Sequence, residues 1–181
     1  MLRIEIPLGP EIWDEEKNEF IPPKVQTLQL EHSLVSISKW ESKWCRPFLS
    51  NKAMTVEETV DYVKCMTLTQ NVNPEVYNHL TSEHIDQVRD YISAPMTATT
   101  ITEDKQNKSK GEVVTAELIY YWMIALQIPF DCRKWHLNQL LTLIKVCNIK
   151  NQPPKKRSKR DIMSRNTALN AARRKQMNTR G

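Results

Sequence analysis

The chain has 181 residues, of which 40% are hydrophobic and five are tryptophan, so it is long and apolar enough to bury a real core in one domain with a small appendage. Three glycines against ten prolines argue against glycine-rich phosphate loops and against a turn-dense β-barrel. The net charge of +5 joins two unlike regions: from Lys150 onward there are 11 basic residues and one acid, whereas residues 1–149 carry 15 basic and 20 acidic residues. An acidic body with a strongly basic end marks a tail that meets an acidic partner or lies on its own body.

The chain opens with "LRIEIPL", where Leu2, Ile4 and Ile6 alternate with polar or charged residues, the period of a strand. Gly9 and Pro10 then turn the chain. In "EIWDEEKNEFIPP", Ile12 and Trp13 lie on one side of a charged turn and Phe20 and Ile21 on the other. Residues 1–24 are therefore expected to form a small β element, a hairpin or a three-stranded sheet. There is no basic segment followed by an apolar run, so a secretory leader is not expected, and the four cysteines are expected as free thiols.

Between Val25 and Trp44 the period changes. Leu30, Leu34, Ile37, Trp40 and Trp44 are spaced 4, 3, 3 and 4 and line one helical face, which Pro47 terminates. The two tryptophans belong to this apolar stripe and are assigned to the core. Thr55 and Glu58 have the spacing of a capping box, opening a helix expected to bury Val56, Val60, Val63 and Met66 or Leu68. Asn73 and Pro74 suit the start of another helix. Thr81 or Ser82 caps the next, with Ile85, Val88 and Ile92 inward.

Residues 94–112 lack an apolar period; "TATTI" offers a short strand and "EDKQNKSKG" an exposed loop. "TAELIYYWMIALQ" is apolar nearly all round, which predicts a central helix. Pro129 interrupts it, and Asp131 is expected to cap a final body helix with Trp135, Leu137, Leu140, Leu141 and Ile144 facing inward. "NQPP" closes the helical body, 25–152. In the basic tail, 153–181, Ser158 and Asp161 suit the start of a helix over residues 159–176, marginal by itself because its apolar residues are sparse. The fold class expected is mainly α: a helical domain with a small N-terminal β element and a basic, partly helical C-terminal tail.

Candidate chemistry is thin. Cys132 and His136 are four apart, a spacing that puts two metal ligands on one helix face, with Cys147 and His84 as possible completing ligands. No second close-spaced ligand pair accompanies them, and a small buried thiol beside a hydrogen-bonded histidine explains them better. There is no G-x-S-x-G, phosphate-binding loop or H-E-x-x-H. The longest apolar stretch, "LIYYWMIAL", is far short of the ~20 residues of a membrane span. No enzymatic activity, cofactor, metal or membrane association is expected. The tail remains. Residues 155–181 hold ten cations, one acid and no aromatic residue. That composition serves phosphate contacts, a protein partner with an acidic surface, or plain solvation, but offers nothing for base stacking.

The segments "LQLEHSLVSISKWESKW", "ELIYYWMIALQIPFDCRKWHLNQLLTLIKVCNIKNQPPKK" and "MSRNTALNAARRKQMNTRG" together resemble the tail assembly chaperones of bacteriophages and prophages, from about Thr27 to Gly181. The resemblance implies a non-enzymatic protein that keeps the tape measure protein soluble and recruits tail tube protein subunits around it. It also implies action in the host cytoplasm during assembly and absence from the finished particle. In several such phages a longer form arises by ribosomal frameshifting, and "PPKK" at Pro153–Lys156 lies at the body–tail boundary. The residues expected to contact partners are Lys155, Lys156, Arg157, Lys159, Arg160, Arg173, Arg174 and Lys175. The other reading is a virion structural or DNA-binding protein that lays the same cations on nucleic acid.

Overall fold

The computed structural model describes residues 1–9, 12–15, 18–50, 52–101, 113–152 and 159–177, with the side chains of residues 12, 14, 21, 161 and 162 set aside. It divides into two compact units, Met1–Cys147 and Asn148–Gly181. The protein is mainly α.

Four strands come first: β1 (Leu2–Pro7), β2 (Ile12–Asp14), β3 (Glu19–Ile21) and β4 (Val25–Leu30). They form two separate antiparallel pairs. β1 lies along β4 with Leu2 opposite Leu30 and Pro7 opposite Val25, while β2 and β3 make the charged-turn hairpin. Across that hairpin, Trp13 and Phe20 meet edge to face at 4.8 Å.

The expected helix from Val25 is corrected here. Val25–Leu30 is a strand, and α1 spans only Leu34–Trp44. Leu28 and Leu30 point inward at strand spacing, beside Ile4 and Ile6 of β1. Leu30 fell on the helical stripe because the strand end and the helix start both turn a leucine to the same core. Ser33 caps α1 by accepting from the Ser36 N–H, and Leu34, Ile37 and Trp40 are buried as the stripe predicted. Cys45, at φ +50°, ends the helix two residues before Pro47.

α2 (Val56–Met66) begins with the expected capping box of Thr55 and Glu58. Of the expected inward face, Val63 and Met66 are buried and Val60 is half-buried, while the rest differs. Val56 is 83% exposed and Leu68 also faces solvent, whereas Glu58, Asp61, Tyr62, Val63 and Met66 are buried. Polar partners on α1 and just beyond its end select this face. Arg46 reaches Glu58 at 2.6 Å, Lys43 pairs with Asp61, and the indoles of Trp40 and Trp44 donate to the Glu58 carbonyl (3.0 Å) and the Asp61 carboxylate (2.9 Å). Satisfied acids can therefore occupy a face that apolar periodicity alone would give to valine.

A 3-10 helix, Pro74–His79, follows with Asn73 as its cap. α3 (Ser82–Ser93) is capped by Thr81, buries Val88 and Tyr91, and keeps Ile85 and Ile92 partly covered. Residues 97–101, "TATTI", form no strand, and the expected loop at 103–111 lies outside the described residues.

α4 (Ala116–Ala125) is not the all-round buried helix its composition suggested. It buries Ala116, Ile119 and Met123 but leaves Tyr121 and Ile124 63% and 62% exposed. Asp131 does not cap a long helix either. Phe130–Lys134 is a 3-10 helix, and α5 starts only at Leu137 and runs to Asn151. The break has a cause: Ser33 and His136 form a β-bridge, and the Leu137 N–H donates to the His32 carbonyl at 2.8 Å. That pairing holds residues 135–136 extended and turns Trp135 outward, 41% exposed. Leu137, Leu140 and Ile144 then face the core as expected. α6 (Lys159–Met177) lies in the second unit and matches the expected tail helix within a residue. Its expected cap, Ser158, lies outside the described residues.

Candidate functional site

Of the cations expected to contact partners, Lys159, Arg160, Arg173, Arg174 and Lys175 stand on α6; Lys155, Lys156 and Arg157 fall outside the described residues. Every α6 side chain that is described is exposed. At 1.5 Å per residue, the cations of the first turn lie roughly 20 Å from those of the last. Between them run Asn166, Thr167, Ala168, Leu169, Asn170, Ala171 and Ala172, a small and mostly neutral stretch. Arg165 adds a cation ahead of this stretch. The cations of the last turn favour the helix because they face its free carbonyls, whereas those of the first turn oppose its dipole. At 3.6 residues per turn the five cations cover more than half the circumference, so a partner that engages all of them must embrace the helix.

Within the body, the polar groups converge on two buried seams. In the first, the rings of His32 and His136 meet edge to face at 5.1 Å. His32 Nδ1 lies 2.5 Å from the Tyr62 hydroxyl. His136 Nε2 donates to the Tyr91 carbonyl at 3.0 Å, and its Nδ1 accepts from the Asn138 N–H at 3.3 Å, which fixes a neutral tautomer. The Tyr91 hydroxyl in turn donates to Glu31 at 2.6 Å. Burial, and then the neighbouring His136, push His32 down to about 3, and burial lowers His136 as well. Burial raises both Tyr62 and Tyr91, the latter helped by its hydrogen bond to Glu31. All four rings are therefore neutral at physiological pH, a state suited to cross-linking the β4–α1 corner, α2, α3 and the start of α5.

The second seam joins α1, α2 and α4. Asp61 is driven up by burial, but the hydrogen bonds from Lys43 and Trp44 outweigh that and leave it below the ordinary carboxylate range. Glu41, buried on α1, accepts from the Phe48 N–H at 2.8 Å and the Ala116 N–H at 2.7 Å. One carboxylate thus closes the chain turn after α1 and anchors the first turn of α4, where the helix dipole favours a negative charge. Sequence reasoning missed Glu41, His32 and Tyr91, because their partners lie far along the chain and no local spacing marks them.

The residues weighed as metal ligands are put to other uses. Cys132 is buried in the 3-10 helix before α5, His136 is committed to Tyr91 and Asn138, and His84 completes the Thr81 capping box. Cys147 lies partly buried on α5. Among the described residues no group of three or more His, Cys, Asp or Glu is arranged to hold a metal ion. No described helix is long and apolar enough to cross a membrane. An apolar surface remains on α4 and the 3-10 helix after it. Tyr121 and Ile124 are exposed there, Phe130 stacks on Tyr120 at 6.1 Å, and the Arg133 guanidinium lies over the Phe130 ring. Compared with protein-family profiles, with curated proteins and with solved structures, the chain matches none.

Proposed function

We propose that the protein is a non-enzymatic tail assembly chaperone, which holds a helical tape measure protein and brings tail tube subunits to it in the host cytoplasm without entering the finished particle. The observation that carries this reading is α6: 19 residues, strongly cationic and with every described side chain exposed. A helix of that composition gains little from its own sequence and is stabilised by whatever it docks against. The exposed Tyr121, Ile124 and Phe130 supply apolar contacts of the kind that receive a partner helix. Together with the resemblance of the chain to phage tail chaperones, these features favour protein recognition by charge complementarity and helix packing.

The experiment is co-expression with the tape measure and tail tube proteins of the same tail module, followed by affinity purification with and without nuclease. The reading predicts nuclease-resistant capture of at least one of them, lost when residues 155–181 are removed; capture of neither sinks it. A second reading, phosphate binding by the tail, rests on the +10 charge beyond residue 149. It predicts instead a gel shift of DNA that weakens steeply with salt and disappears with the tail.

A further inference from the structure

The sheet made by β1 and β4 has one covered side and one open side. The Leu8 N–H donates to the Lys24 carbonyl at 2.7 Å, which fixes the parity of the ladder: even-numbered residues of both strands turn their backbone groups toward each other. Odd-numbered residues of β4 face away, and there the chain covers them. Glu31 N–H donates to Met66 (2.9 Å), Leu68 N–H to Gln29 (2.7 Å), and Gln29 N–H to the Thr69 hydroxyl (2.8 Å). Among the described residues β1 has no second strand neighbour, and α3 and the Pro74–His79 helix, which pack against it, leave Arg3 and Glu5 exposed. The backbone groups of Arg3 and Glu5 therefore point out of the sheet edge, and both residues are exposed. An edge of this kind is a template for another strand.

We propose that this edge pairs with the same edge of a second copy, antiparallel, with Ile4 of each chain at the two-fold axis. The outward backbone groups belong to odd residues, so odd residues must lie opposite odd residues. Three antiparallel registers centred on the charged stretch satisfy this: Arg3 against Arg3, Glu5 against Glu5, or Arg3 against Glu5. The first two set like charges directly opposite each other, which is unfavourable. The third sets Arg3 against Glu5 twice, each pair exchanging backbone hydrogen bonds, as a self-complementary two-fold contact requires. Charged residues and a proline ordinarily guard an edge against pairing. Here the charges match their own copies, and Pro7, which has no N–H to offer, falls beyond the bonds formed. One short strand per chain is small beside the ~800 Å² per partner of a standard interface, so the association is weak, reversible and concentration-dependent.

Sedimentation equilibrium of the full chain over a concentration series tests this. The expected result is a monomer–dimer equilibrium. Arg3→Glu weakens it about tenfold, since two attractive cross-strand pairs become repulsive. Arg3→Glu combined with Glu5→Arg restores it to within about threefold, because the exchanged charges still face each other. Glu5→Pro removes an N–H that faces away from β4 and abolishes the dimer while circular dichroism remains that of the folded body. A chain that stays monomeric at every concentration overturns the proposal. So does a dimer indifferent to Arg3→Glu, or one that the charge exchange fails to restore; the exchanged variant decides the question even if Glu5→Pro disturbs folding.

Discussion

α1 and α6 are both helices of this chain, and they are held by different things. α1 has 11 residues and buries Leu34, Ile37 and Trp40 completely, with Trp40 also donating a hydrogen bond to α2. α6 has 19 residues and covers none of its described side chains. Length and propensity favour the second helix, packing the first. Helices in proteins owe most of their stability to tertiary contact, so α1 is part of the body's cooperative unit, whereas α6, on the function proposed above, is a recognition element ordered by what binds it.

The contrast can be broken from either side. The largest effect is expected from Trp40→Ala, which empties a fully buried site and removes a hydrogen bond; it should cost about 3–5 kcal/mol of body stability in urea titration. Acid comes next. His32 and His136 are neutral when folded, while in the unfolded chain they take up protons below their ordinary value of 6.5. The unfolded state therefore binds more protons between 6.5 and about 3, and stability falls with pH across that window. His32 contributes a slope approaching ~1.4 kcal/mol per pH unit, His136 acts in the same direction, and His32→Gln should make the measured slope shallower. Asp61, held below its ordinary value of 3.8, adds its own share of the loss as pH falls from about 5.

Glu41→Ala leaves two backbone N–H groups, of Phe48 and Ala116, without their acceptor. A loss of about 2–3 kcal/mol is expected from such orphaned donors, with α4 the first helix to gain hydrogen exchange. Thr55→Ala breaks the capping box of α2 and should cost about 1 kcal/mol. The smallest effect on the body is expected from Asn170→Pro. It should abolish the helical signal of α6 and leave the urea midpoint of the body unchanged; a clear shift of that midpoint would show that α6 belongs to the body's folding unit.

Local signals in the sequence were legible where they act locally. The alternation in "LRIEIPL", the cap at Thr55, the proline after Asn73 and the limits of α6 were all readable, because each depends on residues within one or two turns. Three features were not. Val25–Leu30 is a strand because β1, some twenty residues earlier, offers it a partner, while Leu30 also fits the spacing of α1. Part of the face of α2 was misjudged because Glu58 and Asp61 are matched by Arg46, just past the end of α1, and by Lys43 on it. α5 starts late because His136 and Leu137 pair with the corner at His32 and Ser33, about a hundred residues earlier. The same limit hid the buried histidine pair, since nothing near His32 in the sequence announces His136. The exposed cations of α6 among the described residues were visible from composition alone, because a charge run is legible without any knowledge of tertiary contacts.

The central claim is that the cations of α6 serve a protein partner. The direct measurement is calorimetric titration of a tape measure fragment with the full chain and with a chain carrying Lys159, Arg160, Arg173, Arg174 and Lys175 as glutamine. The account predicts binding by the first, at least about tenfold weaker binding by the second as five charge contacts are lost, and equal urea midpoints for the two bodies. Equal affinity of the two chains for the fragment would contradict it.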